Sequence, residues 1–213
     1  MEYSELIAKR NYQALSVEDY NRIHYTPLIA TEYAINLSIF EKEIQPYRQY
    51  RKQWGHEHRQ FPRYGLPLVN LSGKIDDKVD PTCNPLDTWW RYTGELYWDL
   101  DFTNPTEILN LSCFDPINKL KPYMIRSNIL WWDTLGHFKP HIDTKKDKCC
   151  NIRLWGTNKE DYYLSFEGTR YDFEPGRLYI IDTSILHEAR AYSDFTMTFF
   201  LSFNLDVLKC LNL

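Results

Sequence analysis

No run of about 18 uncharged apolar residues occurs in the chain, so no membrane-spanning helix and no membrane partner are expected. The first ten residues, MEYSELIAKR, lack an apolar signal core. Cysteine is sparse and odd in number: Cys83, Cys113, Cys149, Cys150 and Cys210, with no Cys-x-x-Cys spacing. That count argues against a disulfide framework and a zinc knuckle, and points to a reducing cytoplasm. Glycine is also sparse, eight in 213 residues, and none builds a phosphate-binding loop. No serine sits in a nucleophile-elbow pattern, and no stretch repeats or collapses to low complexity. A basic excess is missing too: the formal charge is −4, against the footprint of a nucleic-acid binder. What the chain has in quantity is aromatic side chains: 16 Tyr, 11 Phe and 7 Trp. With 43% hydrophobic residues this describes a folded domain, favours β structure and suits a pocket with flat walls.

Periodicity divides the chain into two parts of one domain spanning residues 1–213. The first, to about residue 120, reads as mixed helix and loop. Ile29, Tyr33, Leu37, Phe40 and Ile44 recur every three or four residues, which predicts a helix starting near Thr26-Pro27. Asn104-Pro105 and Asp115-Pro116 predict short helices for the same reason. Residues 61–88, punctuated by Pro62, Gly65, Pro67, Gly73, Pro81 and Pro85, read as loop with one short strand over Leu66–Leu71. The basic stretch Arg48, Arg51, Lys52, Arg59 and Arg63 reads as a solvated helix face.

The second part, about 121–206, reads as strands. Candidates are Tyr123–Trp132, Asn151–Gly156, Tyr162–Phe166, Tyr171–Phe173, Arg177–Thr183, His187–Tyr192 and Phe195–Phe203. Glu174-Pro175-Gly176 suits a type II turn. In the paired tryptophans Trp89-Trp90 and Trp131-Trp132, strand geometry would turn one ring in and one out. The expected fold is mainly β with N-terminal helices, a jelly-roll core.

Chemistry concentrates in His141-Ile142-Asp143 and the distant His187. Two imidazoles and one carboxylate form the facial set that binds non-haem Fe(II) and leaves positions open; zinc accepts the same ligand types. A spacing of two places His141 and Asp143 on one face of a strand. His24, His56 and His58 read as solvated, and His137 as a surface turn residue.

The segments 136–143 (GHFKPHID), 151–154 (NIRL), 173–182 (FEPGRLYIID) and His187-Glu188-Ala189 together resemble the aspartyl/asparaginyl β-hydroxylase-like group of 2-oxoglutarate-dependent oxygenases, which includes hydroxylases of free proline. The likeness spans roughly residues 122–206. It implies a double-stranded β-helix (the cupin-like core) with Fe(II) held by His141, Asp143 and His187. It also implies 2-oxoglutarate as co-substrate, dioxygen as oxidant, and hydroxylation of an amino acid or a peptidyl side chain with release of succinate. Arg153, amid strand apolars, offers a rigid fork for the free carboxylate of the co-substrate. Relatives place a basic residue about ten positions after the distal His; here that region holds Thr196, Met197 and Thr198. Thr196 and Thr198 would then add hydroxyl hydrogen bonds. Arg126 is a second candidate for a carboxylate, and Trp132 a candidate pocket wall. Two other readings compete: a cupin-like isomerase or hydrolase that ignores 2-oxoglutarate, and a β-sandwich binding module without catalysis.

Overall fold

Alternation along the last strand sets up the architecture. Strand β12 (Thr196–Phe203) is buried along its whole length. Met197, Phe199, Leu201 and Phe203 enter one apolar cluster, whereas Phe200 enters a second cluster. A strand buried on both sides needs a cover on each. The computed structural model, which describes residues 2–8, 16, 18, 27–56, 59–132, 135–143 and 151–211, shows both covers.

The larger sheet has eight strands. Its path is β1 (Leu28–Ala34), β10 (Arg177–Ile181), β7 (Ile152–Thr157), β12, β5 (Ser127–Trp132), β3 (Arg59–Asn70) and β2 (Lys52–His56), with β4 (Asn104–Pro105) also on β3. The smaller sheet runs β6 (His137–His141), β11 (His187–Ala191), β8 (Tyr162–Phe166), β9 (Thr169–Asp172). All pairings are antiparallel. The chain passes between the sheets after β5, β6, β7, β9, β10 and β11, the winding of a double-stranded β-helix. Trp132, Trp155, Tyr162, Leu164, Phe173 and Phe200 fill the space between the sheets.

The far side of the large sheet is closed by segments before β5, chiefly the second of three described helices and the 3₁₀ turns over residues 107–117, whereas Tyr3 of the first helix and Leu86 of the third line the cavity on the inner side. Helix α1 is Tyr3–Ala8, α2 is Leu37–Ile44 and α3 is Leu86–Thr93. Asn36 caps α2 by accepting from the Ile39 amide at 3.3 Å. Phe40 of α2 meets Phe199 edge-on at 4.8 Å and Phe114 at 6.1 Å.

The predicted strand boundaries from residue 121 onward agree with β5 and β7–β12 to within a few residues, and the type II turn at 174–177 forms. The Arg177 amide donates to the Glu174 carbonyl at 3.1 Å. Gly176 takes φ +83°, and a Cβ there would sit 2.7 Å from the Ile35 carbonyl oxygen.

Several expectations for the first part are corrected. Residues 28–34 form a strand, not the start of a helix: Ile29 and Tyr33 are four apart, which suits a strand face as well as a helix face, and pairing with β10 decides. Only Leu37, Phe40 and Ile44 of that series are helical. The region around Pro62–Pro67 belongs to the long strand β3, where a register shift between Pro67 and Val69 accommodates a missing amide donor. Asn104-Pro105 is a strand rather than a helix start, and Pro116 lies inside a 3₁₀ turn, Ser112–Ile117. Trp89 and Trp90 lie on α3. His56 belongs to β2, His137 to β6. His24, His58, Cys149 and Cys150 lie outside the described residues; Cys83, Cys113 and Cys210 are free thiols. No helix among the described residues is long and apolar enough to cross a membrane.

Candidate metal centre

The smaller sheet brings the two histidines together by strand register. His141 ends β6, His187 begins β11, and the two are direct cross-strand partners. Their rings lie 4.4 Å apart, centroid to centroid. Such opposite pairs are the closest neighbours a sheet offers. Asp143 reaches them differently from the expected strand alternation. β6 stops at His141, and the chain bends so that the Asp143 amide donates to the Thr183 carbonyl at 3.1 Å. The Asp143 carboxylate then lies 3.2 Å from His141 Nε2 and 4.0 Å from His187 Nε2. One donor atom from each of the three residues lies within 4.8 Å of the others.

Both rings are held in the tautomer a metal needs. Nδ1 of His141 lies 2.7 Å from the Lys139 carbonyl, and Nδ1 of His187 lies 2.9 Å from the Ile185 carbonyl. A carbonyl can only accept, so each Nδ1 carries the proton and each Nε2 presents a lone pair to the shared space. Burial holds the His187 imidazole below its ordinary pKa, against the opposing pull of Asp143. Burial alone would raise Asp143, but the opposing pulls, led by the Arg153 guanidinium, hold the carboxyl far below the usual carboxylate range. Neutral imidazoles and an ionised carboxylate are the ligand-ready forms. The donor set and its geometry fit a divalent cation of the Fe(II) or Zn(II) type.

Behind the triad, charges are arranged in a chain. Arg153 of β7 donates from Nη1 to Asp143 Oδ2 and, at 2.7 Å, to Thr183 Oγ1; its Nη2 lies 3.3 Å from Asp99 Oδ2. Asp99 also accepts from Asn151 at 2.9 Å and from Arg126 Nη1 at 3.1 Å. Arg126 is buried, and its remaining donors go to the carbonyls of Thr82 and Asn84. Both arginines lie on the cavity wall, and the Nη groups of Arg153 and most donors of Arg126 go to carboxylates, a hydroxyl and carbonyls.

The other candidate residues lie deeper. Trp132 Nε1 donates to Thr198 Oγ1 at 3.0 Å, and Thr196 Oγ1 donates to the Ser193 carbonyl at 3.0 Å. Trp132, Thr196 and Thr198 are buried and do not line the cavity.

The cavity itself is about 550 Å³, mostly apolar, with the triad in its lining and Trp54, Phe138, Trp155 and Phe200 among its walls. Arg63 also lines it. The sequence placed Arg63 on a solvated helix face; the structure places it in β3 at 6% exposure. A strand reading of residues 59–70 would have exposed the signal, because Arg63, Gly65 and Pro67 alternate on the face paired with Trp132, Leu130 and Asn128.

No family model and no curated protein matches the chain. Among solved structures it is similar to KdgF from Halomonas sp. at 14% identity over 39% of this chain and 70% of that one, with a TM-score of 0.32. It is similar to the cupin domain of Cnp3 from Schizosaccharomyces pombe at 8% identity over 42% and 61%, TM-score 0.31. An RmlC-like cupin from Desulfovibrio desulfuricans follows at 10% over 38% and 72%, TM-score 0.30. Similarity of this size says nothing of substrate or reaction, and the fold assignment rests on the strand order and pairing given above. The resemblance to the aspartyl/asparaginyl β-hydroxylase-like group rests on the sequence motifs alone.

Proposed function

We propose that the protein is an Fe(II)- and 2-oxoglutarate-dependent dioxygenase that hydroxylates an amino acid or a peptidyl side chain. The observation that carries this reading is the convergence of His141 Nε2, His187 Nε2 and the Asp143 carboxylate on the wall of a cavity that arginines also line. Three protein ligands on one side of an ion leave the other side open for small molecules. The bound iron would supply dioxygen activation coupled to 2-oxoglutarate decarboxylation: 2-oxoglutarate, O₂ and a substrate C–H give succinate, CO₂ and the C–OH product.

The protein's own contribution is aim and dryness. The Lys139 and Ile185 carbonyls fix the two rings. Arg153 and the Thr183 carbonyl fix Asp143 from opposite ends, side chain and backbone. Asp99 keeps Arg153 and Arg126 in place and offsets their charge. Phe138 packs edge-on against His141 at 4.2 Å and, with Trp155 and Phe200, walls off water beside the open positions.

The test is anaerobic addition of Fe(II) and 2-oxoglutarate to the purified protein. The expected result is a weak visible charge-transfer band, followed on admission of air by one succinate per 2-oxoglutarate consumed. Metal bound without a band and without succinate would favour the other reading that the donor set permits, a cupin-like isomerase or hydrolase.

A further inference from the structure

Among the described residues three arginines line the cavity, and they differ in their company. Arg126 and Arg153 each hold a carboxylate. Arg63 does not: among the described residues no acid lies within ion-pair distance of it, and its Nε is buried with no hydrogen-bond partner. Its guanidinium is instead boxed by aromatic rings, 3.9 Å from the Phe138 centroid, 4.6 Å from Trp54 and 5.4 Å from Trp132. Ring faces attract a cation but do not satisfy its N–H donors. Burial pushes the guanidinium down to about 10, so the rings and the distant Asp143 do not compensate for lost water. A buried cation on a cavity wall, with its Nε unspent and no acid beside it among the described residues, is complementary to an anion that arrives with the ligand.

We infer that Arg63 is the seat of the second carboxylate of a 2-oxo diacid whose first carboxylate and keto oxygen bind the metal. This rests on the functional reading above. The span fits. Phe138 touches both Arg63 and His141, so the guanidinium-to-imidazole separation is at most the sum of 3.9 and 4.2 Å. A metal–oxygen bond of about 2 Å, a five-carbon chain of about 5 Å built from bonds of about 1.5 Å, and a charge-assisted hydrogen bond of about 2.8 Å cover that separation. Arg153, committed to Asp143, Thr183 and Asp99, stays with the metal ligand. Arg63 therefore selects a dicarboxylate over a monocarboxylate of the same head group, and the apolar rings beside it hold the methylene chain.

The test compares 2-oxoglutarate with 2-oxobutyrate, which keeps the chelating head and lacks the far carboxylate. Each is titrated calorimetrically into Mn(II)-loaded wild type, Arg63→Gln and Arg63→Lys. Wild type is expected to prefer 2-oxoglutarate by about 100-fold, the scale of a charge-assisted bidentate pair. Arg63→Gln should reduce that preference to within about 3-fold, with Arg63→Lys between, while Mn(II) stoichiometry and 2-oxobutyrate affinity hold. Ligand-free Arg63→Gln should melt no lower than wild type, because it removes a buried charge that lacks a counter-ion. A preference retained in Arg63→Gln overturns the assignment and leaves the dioxygenase reading standing. A ligand-free variant that melts lower or fails to fold overturns it in favour of a packing role. Mn(II)-loaded wild type that binds neither acid overturns both the assignment and the dioxygenase reading.

Discussion

The two faces of the large sheet are built from alternate residues of the same strands, yet they are different kinds of surface. On β7, Ile152 and Leu154 face the helical cover, while Arg153 and Trp155 face the cavity. On β12, Phe199 and Leu201 face the cover and Phe200 the cavity. The outer face is apolar and closed. The inner face carries Arg63, Arg126 and Arg153, and the smaller sheet opposite supplies the histidines. Chain register thus lets one face secure the fold while the other concentrates charge that a core would not tolerate.

If that division holds, damage to each face has a separate readout. Phe199→Ala on the outer face is expected to cost about 3–5 kcal/mol in chemical denaturation, the usual loss for a fully buried aromatic. Metal stoichiometry should survive in whatever fraction stays folded; parallel loss of metal in folded protein would break the comparison. On the inner face, Asp99→Asn removes the acid shared by Arg126 and Arg153. Arg153 should then hold Asp143 less firmly, weakening metal affinity by about 10- to 100-fold, the scale for partners that orient ligands. An unchanged affinity by calorimetry would detach the charge chain from the metal centre.

Acid sharpens the contrast by a smaller amount. Asp143 is depressed in the folded protein, so its contribution to stability is present above its unfolded pKa, about 3.9, and fades as pH falls below that. The depressed His187 resists protonation in the folded state, so acid also disfavours the fold as pH drops below 6.5. Asp143→Asn should flatten the fall in melting temperature between about pH 5 and pH 3. A variant and wild type with parallel curves would contradict the ion pairing of Asp143 with Arg153.

Much of this was legible in the chain. From residue 121 onward, alternation and turn residues placed the strands, and the types of His141, Asp143 and His187 marked three side chains that the fold brings within 4.8 Å of one another as a candidate metal centre. The bend that delivers Asp143 was not legible, because it depends on a Thr183 carbonyl forty residues away in sequence. The first 120 residues misled for a physical reason: a spacing of four suits helix and strand alike, and Pro62 and Pro67 look like breakers unless a register shift makes room. Arg63 was lost with that strand. Arg153 was legible as a candidate arginine, and it does line the cavity, but its neighbours Asp99 and Thr183 come from distant segments, so the direction of its donors was not legible.

The most direct test is the metal content of the folded protein. After anaerobic dialysis against Fe(II) and removal of loose ions, elemental analysis should find one iron per chain in wild type and background levels in His187→Ala, with both proteins folded by circular dichroism. Iron at background in wild type, or equal in the two proteins, would contradict the metal centre and the chemistry built on it.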